Sequence, residues 1–374
     1  MPLAALDHLR LAEALELAAE AIGVSDPNPR VGCIVGRADG RVLGRGATQR
    51  AGGPHAEVVA LAAARAAGHA TQGATAWVTL EPCAHFGRTP PCSDALVAAG
   101  IARVVVGSAD PFAAVNGSGL ARLRAAGVEV DLADAAFAAA ARELNIGFFS
   151  RVLRARPWVR MKIAASLDGR TALADGRSRW ITGAAARADG HAWRRRASAL
   201  LTGVGTVRAD DPRLDVRELT TTLQPTLVVV DTHLGTPPAA RLFEVAERAV
   251  WIYGARVDGA RAAALAARGA ELRRLPAAQG GVDLAALIGE LAARGVNELH
   301  VEAGARLNGA LLAADLVDEL LVYVAPKLIG PGRAMAALPP LPALEAAGAW
   351  HFVDVQGIGE DLRIVARPPG RAQF

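Results

Sequence analysis

Residues 54–58 read P-H-A-E-V, and residues 79–92 read T-L-E-P-C-A-H-F-G-R-T-P-P-C. The first stretch supplies an imidazole, His55, at the start of a predicted helix, and the second supplies two thiols, Cys83 and Cys92, after a predicted strand. One imidazole and two thiolates are three protein ligands for Zn²⁺, and a catalytic zinc site keeps its fourth position open. The two stretches therefore predict one zinc ion per chain, held where helices begin beside the end of a strand.

A carboxyl group accompanies the predicted ligands. Glu57 lies two positions after His55, where it can move protons to and from a water molecule without being a ligand. H-x-E followed by P-C-x-x-C is the signature of zinc-dependent base deaminases, but here eight residues separate the cysteines instead of two. Two alternatives stay open: a structural zinc site closed by His85 as fourth ligand, and a pair of ordinary buried thiols.

Helical and strand patterns alternate along the chain, which predicts layered α/β sheets. The segment 150–157 (S-R-V-L-R-A-R-P) is basic and lacks apolar periodicity. We place a boundary there, between a domain of residues 1–150 and a domain of residues 157–374. The second domain starts with an apolar strand at 158–164 and continues as a second α/β run.

The charge differs between the two halves. Residues 1–150 carry 12 arginines and 14 acidic side chains, a net charge of −2, whereas residues 151–374 carry a net charge of +6. A nucleic-acid surface would show clustered basic side chains with interleaved aromatic ones, and the half with the candidate zinc site has neither. The basic half suits a phosphorylated small molecule. We therefore expect a small-molecule substrate and no nucleic-acid partner.

The cysteine count and the apolar pattern bear on the compartment. Three cysteines are an odd number for a disulfide framework, and the N-terminal residues carry charges that a secretory signal excludes. No window of about 18 uncharged apolar residues occurs, so no membrane-spanning helix is expected. We expect a cytoplasmic protein with reduced thiols and no membrane partner. Cys33 lies in an apolar run and is predicted to be a buried core thiol.

Eight short blocks occur in an order that resembles one enzyme family, the bifunctional riboflavin-biosynthesis deaminase/reductase. The resemblance covers nearly the whole chain, and the long spacing between the two cysteines is typical of that family. One departure is D-P-F-A at 110–113, where the family commonly has D-P-N-P. The blocks are N-P-R-V-G (28–32), P-H-A-E-V (54–58), T-L-E-P-C-A-H-F-G-R-T-P-P-C (79–92), S-L-D-G-R (166–170), W-I-T (180–182), D-D-P-R-L (210–214), V-E-A-G (301–304) and A-P-K-L-I-G (325–330).

The resemblance implies a two-step enzyme. The first domain, with a cytidine-deaminase-like layered α/β fold, would remove an amino group from 2,5-diamino-6-(5-phosphoribosylamino)pyrimidin-4-one. Zinc would activate water there, and Glu57 would carry the protons. The second domain, with a dihydrofolate-reductase-like α/β fold, would use NADPH to reduce the ribosyl group, giving 5-amino-6-(5-phosphoribitylamino)uracil. NADPH rather than NADH rests on the resemblance alone, and a homo-oligomer is compatible with it.

The resemblance also implies site positions. Asn28 matches a substrate-pocket position, and a turn residue before Pro29 is its alternative. His85, Arg88 and Thr89 lie in the loop between the cysteines, where they could face the substrate. The positions that match the family's NADPH-binding pattern are Ala164, Trp180, Thr182, Thr206, Asp210, Thr232, Gly304, Ala305, Arg306, Leu307, Asn308, Gly309 and Ala310. The positions that match its substrate-binding pattern are Ser178, Arg194, Leu214, Arg217 and Glu302.

Residue chemistry leaves alternatives open in this domain. Arg194 and Arg217 suit a phosphate because a guanidinium pairs bidentately with its oxygens, but both could be solvated surface charges. The turns at 203–205 and 304–310 follow strands and could present N–H groups to phosphates, or be tight turns only. Lys162 is one of two lysines among 41 basic residues. It is either an amine near the reaction centre or an edge-strand charge.

Two residues of the W-I-T and D-D-P-R-L blocks also have more than one interpretation. Asp210 is a candidate acid for the reduction, and Trp180 could as well pack in the core.

Two other functions fit parts of the chain: a deaminase of nucleic-acid bases, and a structural zinc module joined to a nucleotide-sensing domain. The first needs a basic surface that the acidic half lacks, and the second leaves Glu57 without a purpose.

Overall fold

The computed structural model describes the following parts of the chain: residues 3–84, 86, 90–112, 116–278 and 280–374. Contacts between Cα atoms divide the chain into two compact units, Met1–Arg154 and Ala155–Phe374, and each unit is treated by itself. Within the described ranges, no helix combines the length and the apolar character needed to cross a membrane.

The first unit alternates helices and strands in this order: α1 (Ala5–Glu20), β1 (Gly32–Gly36), β2 (Val42–Ala47), α2 (Ala56–Ala66), β3 (Thr75–Val78), α3 (Cys92–Ala98), β4 (Arg103–Val106), α4 (Ser118–Ala125), β5 (Glu129–Leu132), α5 (Ala135–Leu144) and α6 (Ile146–Arg154). The strands form one sheet in the order β2-β1-β3-β4-β5. Strand β1 runs antiparallel to both of its neighbours, whereas β3, β4 and β5 are parallel.

Helices cover both faces of this sheet. Cys33 and Val35 of β1 belong to one apolar cluster with Ala60 of α2, whereas Ile34 belongs to another with Leu11 of α1. Successive side chains of a strand point to opposite faces, so this alternation places α1 and α2 on opposite sides. The predicted layered α/β fold is confirmed, and so is the buried core position of Cys33.

The second unit contains the following elements: β6 (Trp158–Ser166), β7 (Arg170–Leu173), α7 (Ala184–Arg196), β8 (Ala199–Gly203), α8 (Val204–Asp210), β9 (Thr226–Val230), a 3₁₀ turn (Arg241–Glu244), β10 (Val250–Gly254), α9 (Gly259–Ala266), β11 (Ala270–Arg274), α10 (Leu284–Ala293), β12 (Glu298–Val301), α11 (Ala305–Ala313), β13 (Glu319–Ala325), β14 (Gly332–Ala334), a 3₁₀ turn (Leu344–Ala346), β15 (His351–Ile358) and β16 (Asp361–Arg367).

A nine-stranded sheet organises this unit, in the order β11-β10-β9-β8-β12-β6-β13-β16-β15. The first seven strands of that order are parallel, and β16 and β15 add an antiparallel edge. Ligands of open parallel sheets bind outside the carboxyl ends of the strands. The loops after β8, β9 and β12 therefore share the edge where a cofactor is expected.

Helix α6 extends into the basic segment 150–157, where the domain boundary is placed from the sequence. The apolar side chains of the helix, Ile146 and Phe149, are buried and lie N-terminal to that segment. Ser150 is also buried and accepts a hydrogen bond from Arg154 Nη2 at 2.7 Å. Most of the buried apolar side chains of α6 precede the segment, and only Val152 within it packs against the same cluster as Phe149, so 150–157 by itself shows little helical periodicity.

Candidate active sites

Three side chains that lie far apart in the sequence meet in the first unit. His55 directly precedes α2, Cys83 lies in the loop after β3, and Cys92 is the first residue of α3. His55 Nδ1 lies 3.7 Å from Cys83 Sγ and 3.2 Å from Cys92 Sγ. Across the described residues, no other set of three or more His, Cys, Asp or Glu side chains forms such a potential metal site, with ligand atoms within 4.8 Å of one another.

These separations fit a tetrahedral zinc ion. Zn–N bonds of about 2.0–2.1 Å and Zn–S bonds of about 2.3 Å put a nitrogen and a sulfur ligand about 3.6 Å apart. The thiolate form of Cys83 is favoured as well, because the Cys92 amide donates to its Sγ at 3.3 Å. Hydrogen bonds from the Cys92 thiol and from His55 hold the pKa of Cys83 well below its ordinary value. The described part of the chain thus brings together three side chains that could hold a zinc ion.

Glu57 is buried against this cluster in the first turn of α2. Its side chain is 3% exposed, and burial raises its pKa to about 7. A carboxyl group that titrates near neutral pH can both accept and return a proton. Helix α2 reaches this position because Gly46 has no side chain: a Cβ there would lie 2.3 Å from the Ala56 carbonyl oxygen.

In the second unit, two predicted cofactor positions lie side by side at the carboxyl ends of neighbouring parallel strands. Thr206 is in α8, directly after β8, and Gly304 precedes α11, after β12. A Cβ at Gly304 would lie 3.8 Å from Thr206 Oγ1. The first amides of a helix have no acceptor within it, so the start of α11 can offer N–H donors to a phosphate.

A charge cluster joins β6, α7 and the end of β12. Glu302 accepts hydrogen bonds from Arg194 Nε at 2.5 Å and Nη2 at 2.9 Å. Lys162 Nζ lies 3.9 Å from Glu302 Oε2 and 5.8 Å from the centre of the Tyr323 ring. Burial lowers the pKa of Lys162, the Glu302 charge opposes this, and Arg194 adds to it. The cluster therefore holds an ammonium group among charged and aromatic neighbours.

The loop that contains Trp180 is anchored at several points. Lys327 Nζ donates to the carbonyl oxygens of Trp180 (3.1 Å) and of the residue after it (2.6 Å). The Arg187 guanidinium lies 4.6 Å from the centre of the Trp180 ring, and Arg179 donates to the Asp210 carbonyl oxygen at 2.6 Å. The Trp180 side chain is 62% exposed, so it is not a core residue.

Comparisons with known proteins agree along the chain. A sequence profile described as the cytidine and deoxycytidylate deaminase zinc-binding region matches residues 6–108, and one described as the RibD C-terminal domain matches residues 157–364. The riboflavin biosynthesis protein RibD of Escherichia coli is 42% identical over 369 residues, which cover 95% of this chain and 98% of that protein. The chain belongs to the RibD family.

Solved structures of RibD proteins also match the fold. RibD from Acinetobacter baumannii superposes with a TM-score of 0.87 at 38% identity, covering 97% of this chain and 99% of that one. A Thermotoga maritima protein described as a diaminohydroxyphosphoribosylaminopyrimidine deaminase/5-amino-6-(5-phosphoribosylamino)uracil reductase gives the same TM-score and coverage at 30% identity.

Membership of the RibD family confirms the predicted fold class, function and cofactors. The chain is a bifunctional enzyme of riboflavin biosynthesis with a zinc-binding deaminase domain and an NADPH-dependent reductase domain. The fold of the reductase domain is consistent with that of dihydrofolate reductase. The roles of the individual residues stay predictions.

Arg194 is not a solvated surface charge. Glu302 accepts hydrogen bonds from its Nε and Nη2, and Nη1 donates to the Asp215 carbonyl oxygen at 3.1 Å. Its role as a phosphate clamp stays a prediction. Arg217 is half-exposed and pairs with the Asp215 carboxylate at 2.7 Å. Of the two predicted clamps, Arg217 has the more accessible guanidinium.

Several predicted positions are packed inside the reductase domain. Leu214 is buried in an apolar cluster of that domain. The buried Asn308 donates to the Met335 carbonyl oxygen at 2.9 Å, and a Cβ at Gly309 would lie 2.2 Å from the Ala337 carbonyl oxygen. Thus the side of α11 that holds Asn308 and Gly309 packs on 335–337, which leaves the helix start for a ligand.

Other predicted positions are placed without a contact that tests their role. Asn28 lies in a turn, where its amide donates to the Ser25 carbonyl oxygen at 2.9 Å, as the turn interpretation expects. Ala164 lies in β6 and Thr232 directly follows β9. Phe112, which replaces the family's asparagine, is 44% exposed. Four residues named from the sequence lie outside the described residues: His85, Arg88, Thr89 and Ala113.

Three residues near these sites carry no assigned role from the sequence. Glu81 lies two positions before Cys83, Tyr323 packs against Lys162, and Lys327 holds the Trp180 loop. Lys327 had a signal, because it is the second lysine in an almost lysine-free chain. Glu81 and Tyr323 make contacts to residues far away in the sequence, and no local sequence pattern predicts such contacts.

Proposed function

We propose that this enzyme deaminates 2,5-diamino-6-(5-phosphoribosylamino)pyrimidin-4-one and then reduces the product to 5-amino-6-(5-phosphoribitylamino)uracil. The observation that carries the first step is the cluster of His55, Cys83 and Cys92 with the buried Glu57 against it. The names of the RibD relatives and of the Thermotoga maritima protein support this substrate class. A phosphorylated pyrimidine is therefore the proposed small-molecule partner.

The deamination replaces a ring C–NH₂ group by C=O, with water consumed and ammonia released. When bound by His55, Cys83 and Cys92, zinc supplies a Lewis acid that lowers the pKa of water. Glu57 accepts a proton from the attacking water and passes it to the adjacent ring nitrogen. It then helps to deliver a proton to the leaving amino group, a task that suits a carboxyl pKa of about 7.

Reduction of a ribosyl to a ribityl group adds one hydride to the sugar carbon attached to nitrogen and one proton to the oxygen released from the ring. NADPH supplies the hydride, and the protein must orient it and provide the proton. We assign the proton to Lys162, whose ammonium lies within the Glu302 cluster. The start of α11 with Thr206 is the proposed place for a cofactor phosphate, and Arg217 for the substrate phosphate.

We also propose that the enzyme forms a homo-oligomer. Strand β15 is the edge of the nine-stranded sheet, and Phe352 and Val355 on it are 73% and 51% exposed. Open apolar sheet edges favour pairing with another chain. Light scattering of the purified protein tests this point, and a monomer at micromolar concentration would contradict it.

A coupled assay tests the proposed function. Without NADPH, the diaminopyrimidine should yield one ammonia per molecule and no further change. With NADPH, one cofactor should be oxidised for each deaminated molecule. Purified enzyme should hold one zinc per chain, and Cys83→Ser should lose both zinc and ammonia release while it still reduces supplied deaminated product. Ammonia release by zinc-free enzyme, or no NADPH oxidation, would contradict the corresponding half.

A further inference from the structure

A buried carboxylate near the zinc ligands takes no part in the proposed chemistry. Glu81 lies two residues before Cys83 and is 3% exposed. Its two carboxylate oxygens accept hydrogen bonds from four backbone amides between residues 110 and 120. Oε2 accepts from Asp110 (3.3 Å) and Gly117 (3.0 Å), and Oε1 accepts from Gly119 (3.0 Å) and Leu120 (3.3 Å).

These amides belong to the loop after β4 and to the start of α4. Gly117 stands at the N-cap of α4 and has no side chain that could accept the first amides of the helix. Glu81 accepts them instead and places a negative charge where the helix dipole favours one. It thus caps a helix from a different part of the sequence.

The same helix touches the residues on either side of Cys83. A Cβ at Gly119 would lie 1.9 Å from the Pro82 carbonyl oxygen, so only glycine allows this approach. Arg122 Nη1 donates to the Ala84 carbonyl oxygen at 3.1 Å. The segment that contains Cys83 is therefore fastened to α4 before and after the ligand.

Cys83 is held from two sides: its own carbonyl oxygen accepts hydrogen bonds from the Ser93 amide (3.2 Å) and hydroxyl (3.0 Å) in α3, and its two neighbours contact α4. His55 and Cys92 are set by the starts of α2 and α3, whereas Cys83 lies in a loop. We propose that Glu81 is a positioning residue that holds Cys83 Sγ in place for zinc by fastening its loop to α4. This inference rests on the proposed zinc site.

The isosteric variant Glu81→Gln tests the proposal. The amide keeps one acceptor oxygen, but its NH₂ group would face two backbone N–H donors. Loss of outer-shell partners typically costs 10–100-fold in metal affinity or activity, and we expect zinc release to become about 10–100-fold faster. Ammonia release should fall by a similar factor, while reduction of supplied deaminated product stays at the parent rate.

Two readouts separate ligand position from general damage. The rate of zinc transfer to a chromophoric chelator measures how firmly the ion is held. The thiolate-to-metal charge-transfer band of the cobalt-substituted enzyme reports the cysteine geometry and should shift in Glu81→Gln. Glu16→Gln on the exposed face of α1 is the matched control, and it should behave as the parent.

The outcomes decide the proposal. Parent-like zinc release and an unshifted cobalt spectrum in Glu81→Gln would overturn it. If the deaminase domain of that variant does not fold, Glu81→Asp takes its place, because it keeps the charge but the shorter side chain cannot reach all four amides. Faster zinc release in Glu81→Asp would support the proposal, and an unchanged rate would overturn it. A parent enzyme without zinc would instead refute the proposed function itself.

Discussion

Replacing Glu302 by glutamine removes the negative charge between Arg194 and Lys162. Lys162 Nζ lies 3.9 Å from Glu302 Oε2. Two unit charges at that distance interact by about 4 kcal/mol at an effective dielectric constant of about 20. Even if solvent and Arg194 reduce this to about 1.4 kcal/mol, the ratio of protonated to neutral Lys162 changes about tenfold.

The sign of the effect follows from the charges. The Glu302 carboxylate stabilises the ammonium form and raises the pKa of Lys162, whereas burial and Arg194 lower it. In Glu302→Gln the pKa of Lys162 must therefore fall. If Lys162 donates the proton in the reduction, the enzyme loses its proton donor at a lower pH. We expect the ratio of kcat at about pH 9 to kcat at about pH 7 to drop about tenfold.

The assay is NADPH oxidation with deaminated substrate over this pH range. Lys162→Met should leave a low residual rate without the alkaline decrease, and Glu345→Gln at an exposed position should match the parent. Ammonia release by the deaminase domain serves as an internal control for folding. An alkaline decrease at the same pH in the parent and in Glu302→Gln would refute the coupling between Glu302 and the proton donor.

Three further predictions concern other parts of the chain. Glu57→Gln should keep zinc but slow ammonia release about 10²–10⁴-fold, since the amide cannot carry a proton; a parent-like rate in an ammonia assay would contradict this role. Burial alone would raise the pKa of Asp7, but hydrogen bonds from Arg103 and from a buried indole outweigh burial, so the net pKa is lowered. Ionised Asp7 therefore stabilises the first unit above the unfolded-state pKa of about 3.9, and this contribution is lost as the pH falls through the lower folded-state value. Asp7→Asn should cost about 3 kcal/mol of unfolding free energy at pH 7 and less at about pH 3, as urea unfolding would show. Lys327→Met should release the Trp180 loop and raise KM for NADPH about tenfold with little change in kcat. Titration of the enzyme's tryptophan fluorescence with NADPH checks the binding. An unchanged KM would count against Lys327 as the anchor of this loop.

Short windows of sequence were sufficient to predict the candidate zinc ligands, which the structure brings together. A histidine, a carboxylate two residues later and two cysteines indicate zinc-dependent deamination without knowledge of the fold, since few other reactions need that combination of side chains. The alternation of Cys33, Ile34 and Val35 likewise belongs to a single strand, and burial on both faces confirms it. Helix α6 was not predicted because most of its buried apolar side chains, such as Ile146 and Phe149, lie before the basic segment.

The sequence by itself determined the fold class, the candidate metal ligands and, through eight ordered blocks, the family. Only the tertiary structure decided the partners of the charged groups. Arg194 pairs with Glu302, 108 positions away, because α7 packs near the strand that Glu302 follows. Glu81 accepts hydrogen bonds from backbone amides 29 to 39 positions later in the chain because α4 packs beside the segment that contains Cys83. Periodicity and ligand chemistry are local properties, whereas the pairing of buried charges depends on which elements become neighbours.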